Sequence, residues 1–68
     1  MVTANVYHSG DGNLKLVTLR AGDKLSDPID LGVRVGETFL LQLKWTTSES
    51  LQVYVDGAWK GEFADATC

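Results

Sequence analysis

Apolar and polar residues alternate with a period of two along most of this chain. In TFLLQLKWTT, Thr38 to Thr47, the residues Phe39, Leu41, Leu43 and Trp45 fall on one face. Thr38, Gln42 and Lys44 fall on the other, and Leu40 is the exception. Successive side chains of an extended strand point to opposite sides, so this is the pattern of a half-buried strand with Trp45 in the core. Ile29, Leu31, Val33 and Val35 alternate with Asp30, Gly32 and Arg34 in the same way, and Val2, Ala4 and Val6 alternate with Thr3, Asn5 and Tyr7. LKLVTLR, Leu14 to Arg20, is apolar on both sides in its middle, which leaves its inward face open. No segment holds a helical spacing over ten residues.

Turn-forming residues separate these runs at short intervals. SGDGN (Ser9 to Asn13) joins the first two strands, and AGDKLSDP (Ala21 to Pro28) is the longest connection. Val35-Gly36-Glu37 is tight enough to be a bulge rather than a turn, and TTSES (Thr46 to Ser50) leads into Leu51. The pattern predicts one all-β domain over residues 1–68, built from five or six short antiparallel strands in a small sandwich or barrel. An immunoglobulin-type pair of sheets takes about 100 residues. A 68-residue unit must therefore curl into a small barrel or bury its apolar face on another copy, by sheet stacking or edge pairing in a C2 dimer.

The segment LQVYVDGAWKGEF, Leu51 to Phe63, is a hairpin centred on Asp56-Gly57. A two-residue loop would set Val55 against Ala58, Val53 against Lys60 and Leu51 against Glu62, mixing apolar with polar. A three-residue loop, Asp56-Gly57-Ala58, sets Val55 against Trp59, Val53 against Gly61 and Leu51 against Phe63. Tyr54 then lies beside Lys60, and Gln52 beside Glu62. A one-residue slip inverts every side chain, so burial favours the three-residue loop. On that register Trp59 belongs to the rim of the apolar face and Tyr54 to the polar face.

The later part of this hairpin, VYVDGAWKGEF, resembles the hairpin of concanavalin A-like jelly-roll domains, the superfamily of galectins, laminin-G domains and several polysaccharide lyases. GETFLLQLKW, Gly36 to Trp45, resembles the strand before it, and NLKLVTLRAG, Asn13 to Gly22, an earlier strand of the same sheet. The resemblance covers residues 13–63 and implies a lectin-like β-sandwich sheet with carbohydrate as the ligand. It carries over no catalytic residue, because neither a galectin-type sugar motif nor a lyase catalytic pattern is present.

Charge narrows the partners. Six basic residues scattered among nine acidic ones give a net charge of −3, the opposite of a nucleic-acid footprint or an anionic-membrane anchor. No apolar run approaches the roughly 20 residues that span a bilayer. The opening MVTANVYHSG lacks the basic start and apolar centre of a secretory leader, so the chain either works in the cytosol or had a leader removed. One cysteine, Cys68, allows no internal disulfide and reads as a thiol at a flexible end; one histidine and one cysteine do not make a zinc site. A domain this small buries only about 60% of its unfolded surface, and oligomerisation is the remaining compensation.

No catalytic set emerges. His8 lies in one short segment with Tyr7, Ser9 and Asp11, which no scaffold holds apart, and it reads as a solvent-exposed turn histidine. Glu37, Glu49 and Glu62 fall on a turn, a loop and a polar strand face, where solvated carboxylates sit. SGDGN lacks the further ligands of a calcium loop and precedes no helix, so it reads as a hairpin turn. The expectation is a non-enzymatic, carbohydrate-binding module without metal or cofactor. Its ligand residues would be Trp59, Tyr54, Lys60 and Gln52, joined by Asn5 and Tyr7. The alternative is a structural protein that assembles into a β-rich homo-oligomer and takes no small molecule.

Overall fold

The computed structural model describes residues 2–25, 27–46 and 50–64, which form seven strands and no helix. Strands β1 (Val2–His8), β2 (Asn13–Arg20), β3 (Asp23–Lys24) and β4 (Ile29–Arg34) make one antiparallel sheet. Strands β5 (Leu41–Trp45), β6 (Leu51–Val55) and β7 (Ala58–Phe63) make a second, in that order. In the first sheet β2 is central. β1 runs beside it from Val2↔Arg20 to His8↔Leu14 without interruption. On its other side β4 pairs with the first half of β2, and β3 with its last two residues. The all-β expectation holds, while neither sheet closes into a barrel. The added strand is β3, two residues beyond the Ala21-Gly22 turn, too short to show as an alternation. Both turn residues have positive φ, the signature of a type I′ hairpin turn.

The two sheets share one core. Leu16 of β2, Leu31 and Val33 of β4, Leu51, Val53 and Val55 of β6 and Phe63 of β7 form a buried cluster. Leu14, Ile29, Phe39 and Leu41 pack against it. The shortest extent of the molecule, 15 Å, fits two sheets stacked at about 10 Å. Each fully buried Leu, Val or Phe contributes about 1.5–3 kcal/mol. The face left open in β2 is now settled: Leu14, Leu16 and Thr18 share the inward side. Thr18 is fully buried, and its hydroxyl has no hydrogen-bond partner among the described residues.

The core is closed at its centre and open at its edges. Leu43 and Trp45 of β5 stand in register with Val53 and Leu51, so they face the same way. Yet Leu43 is 42% exposed and Trp45 is 51% exposed, against 0% for Val53. The alternation placed Trp45 in the core. The structure corrects this, because β5 is an edge strand and the facing sheet does not reach that far across it. β1 behaves alike: Val6 is in register with buried Leu16 but is itself exposed.

Residues 35–40 carry the chain from the first sheet to the second. The Val35-Gly36-Glu37 segment is a turn, not a bulge. The Glu37 amide donates to the Arg34 carbonyl at 3.1 Å, and Gly36 has φ 96° at the third position, where a type II turn requires it. The Glu37 carboxylate accepts a bond from the Arg34 amide at 2.8 Å. β7 then returns against β4 at Gly61, where an added Cβ would lie 3.0 Å from Ile29 Cδ1. Gly61 also has φ 152°, so this close approach depends on a residue without a side chain.

Candidate functional site

The β6–β7 hairpin combines the two registers that the sequence set against each other. Asp56 and Gly57 both have positive φ, so the loop is a two-residue type I′ turn, with Val55 opposite Ala58 and Tyr54 opposite Trp59. Beyond that point Val53 pairs with Gly61, Gln52 with Glu62 and Leu51 with Phe63, as a three-residue loop would give. Lys60 is the residue that reconciles them. It is the extra residue of a β-bulge, opposite no partner of its own. The bulge restores inward parity so that Phe63 reaches the core. Asp56 is held in its turn conformation by Leu40: its carboxylate accepts from the Leu40 amide at 3.0 Å, and its own amide donates to the Leu40 carbonyl at 2.9 Å.

This register corrects the expected separation of the two aromatics. Tyr54 and Trp59 are direct cross-strand neighbours on the outer face of the three-stranded sheet, opposite to Val53 and Val55. Trp59 is 58% exposed, and Tyr54 is half-buried, its hydroxyl donating to Gln52 Oε1 at 3.0 Å. Lys60 does not sit beside Tyr54. Its ammonium lies over β4, 3.2 Å from where a Cβ on Gly32 would be.

The outer face carries two rows of side chains. Gln42, Tyr54 and Trp59 stand across β5, β6 and β7 in one row, and Lys44, Gln52 and Glu62 in the next. Of the expected ligand residues, Trp59, Tyr54 and Gln52 are thus brought together. Asn5 and Tyr7 belong to β1 of the other sheet, in register with Val17 and Lys15. Gln42 and Lys44 join the face unannounced. Their polar parity was visible in TFLLQLKWTT, but the pairing of β5 with β6 that sets them beside Tyr54 and Gln52 was not.

A second polar cluster surrounds the SGDGN turn and is structural in character. The Asp11 carboxylate accepts bonds from the Ser9 hydroxyl and from the Asn13 amide at 2.9 Å, and forms an ion pair with Lys15 at 3.2 Å. These contacts, the serine bond first, hold the Asp11 carboxyl well below the ordinary carboxylate range. Asp30 of β4 accepts from the Gly32 amide at 2.8 Å and from Asn13 Nδ2 at 3.3 Å, which lowers its pKa as well. Lys15 also reaches Asp30 at 3.6 Å, and both carboxylates raise its own pKa. The cluster ties the β1–β2 turn to β4. Among the described residues no group of three or more His, Cys, Asp or Glu side chains is placed to hold a metal ion. His8 ends β1, exposed, and Glu49 and Cys68 lie outside the described residues.

The chain is therefore a small all-β protein with two antiparallel sheets, one of which bears an aromatic and amide face open to solvent. Comparison with known protein families, curated proteins and solved structures finds no match.

Proposed function

We propose that this protein is a non-enzymatic binding module that takes carbohydrate on the outer face of its three-stranded sheet. The cross-strand pairing of Tyr54 with the exposed Trp59 carries the reading. Aromatic rings offer apolar faces for the C–H surface of a sugar ring, and Tyr and Trp each add a polar handle. Gln42 and Gln52 flank the pair with amide donors and acceptors, and Lys44 and Glu62 add charged ones. The resemblance of residues 13–63 to concanavalin A-like domains supports the same ligand class. An open sheet surface suits an extended glycan chain better than a single sugar, which is held best in a concave site.

The test is a titration of soluble polysaccharides followed by tryptophan fluorescence. Trp45→Phe serves as the background, because Trp45 is also exposed. The Trp59 emission should shift on binding, and Trp59→Ala should abolish binding while circular dichroism stays unchanged. A flat response across a glycan array sinks the proposal. The second reading, an assembly protein without a small-molecule ligand, draws support from Leu43 and Trp45, which face inward without cover.

A further inference from the structure

β1 is a free edge of the four-stranded sheet. Along one side it pairs with β2 over all of Val2–His8, and no strand pairs with its other side among the described residues. A free edge presents a row of unpaired N–H and C=O groups, which proteins usually blunt with charge, proline, a bulge or short length. The edge strands of the other sheet are blunted in this way: β5 has five residues, with Lys44 next to its end, and β7 carries Lys60, Glu62 and a bulge. β1 has seven residues, no Asp, Glu, Lys or Arg, no proline and no bulge. In a chain of net charge −3, it is a stretch along which two copies approach without like-charge repulsion.

We infer that β1 pairs with β1 of a second copy, antiparallel about Asn5, and joins two four-stranded sheets into a C2 dimer. The side-chain pattern is self-complementary in that register. Asn5 meets Asn5, Ala4 meets Val6, Thr3 meets Tyr7 and Val2 meets His8. Even-numbered residues meet even-numbered ones, so the inward faces of both copies stay on the same side, as a two-fold axis through the sheet requires. Val6, which is 45% exposed beside Leu16, then gains the partner's Ala4 as an inward neighbour. The stripe Leu16–Val6 is thereby continued by a second apolar pair. Asn5 and Tyr7 become interface residues, which removes them from the ligand set. None of the Tyr54–Trp59 face is used, so this inference stands apart from the carbohydrate reading.

Sedimentation equilibrium of the native chain should give twice the 7.4 kDa chain mass. Asn5→Lys sets two lysines directly opposite each other; Asn5 is exposed, so the variant should keep its circular dichroism and fall to the single-chain mass. Asn5→Cys in a Cys68→Ser background tests the register. Directly opposed residues lie at a Cα separation of about 4.5–5.5 Å, within disulfide range, so oxidation should yield a covalent dimer. Thr3→Cys in the same background should not crosslink, since its partner is Tyr7. A native chain that stays at the single-chain mass into the millimolar range overturns the inference. So does a dimer that survives Asn5→Lys but is broken by Leu43→Lys, which would place the contact on the open inward face. A dimer in which Asn5→Cys fails to crosslink overturns the register.

Discussion

Deleting Lys60 should leave the fold intact, although it shortens a strand by one residue. In an ordinary strand such a deletion turns every following side chain to the opposite face. Here Lys60 is the unpaired residue of the bulge, so its removal keeps Tyr54 opposite Trp59 and brings Gly61 opposite Val53 without any slip. Deleting Glu62 is the matched control. Glu62 and Lys60 are both exposed, but the loss of Glu62 would bring Phe63 opposite Gln52, on the outer face. Phe63 is among the most completely buried side chains of the core, and expelling it costs about 3–5 kcal/mol. A 68-residue domain has about 3–10 kcal/mol in all. The control should therefore be largely unfolded, while the Lys60 deletion should lie within about 1 kcal/mol of the parent, the usual scale of a single substitution. Urea unfolding followed by far-UV circular dichroism measures both. Equal damage from the two deletions would refute the bulge and, with it, the Tyr54–Trp59 pairing.

Two further outcomes test the rest of the structure. Thr18→Val removes a buried hydroxyl that has no partner among the described residues and keeps the branched shape, so it should stabilise by about 1 kcal/mol, or roughly 4–8 °C in Tm by calorimetry. The Asp11 and Asp30 carboxyls are held below their ordinary pKa in the folded chain, so the unfolded state binds more protons in acid. The stability they add is complete above about pH 4 and is lost as pH falls through their folded values, so the urea midpoint should drop on acidification. Asp11→Asn should flatten that drop, and an unchanged acid profile would refute the cluster's role.

Strand content was legible because burial writes period two into a half-covered sheet. Leu31 and Val33 of β4 and Leu51, Val53 and Val55 of β6 are buried where alternation placed them. What alternation does not carry is which strand lies beside which, or how far a facing sheet extends. Trp45 has the parity of a core residue and the exposure of an edge residue for that reason. The hairpin shows a different limit. Turn chemistry at Asp56-Gly57 and burial at Leu51–Phe63 pointed to incompatible registers, and each was correct over its own stretch. The bulge at Lys60 satisfies both, at the position where Gly61 supplies the unusual backbone and the close approach to Ile29. Gln42 and Lys44 were legible as polar, but not as neighbours of Tyr54 and Gln52.

Among the described residues the chain passes from one sheet to the other only once, through residues 35–40. Each sheet is then built largely from hairpins of neighbouring strands, β1 with β2, β5 with β6 and β6 with β7. Such hairpins close in about 1–10 μs, and contacts of short sequence separation favour rapid folding. The contacts of longer sequence separation are those between the two sheets, where Ile29 lies against Gly61, so their docking is expected to come last. A transition state of that kind already contains the hairpins: substitutions at Gly57 would slow folding by nearly their full cost, while those at Ile29 would slow it only as far as the seam has formed and would otherwise speed unfolding.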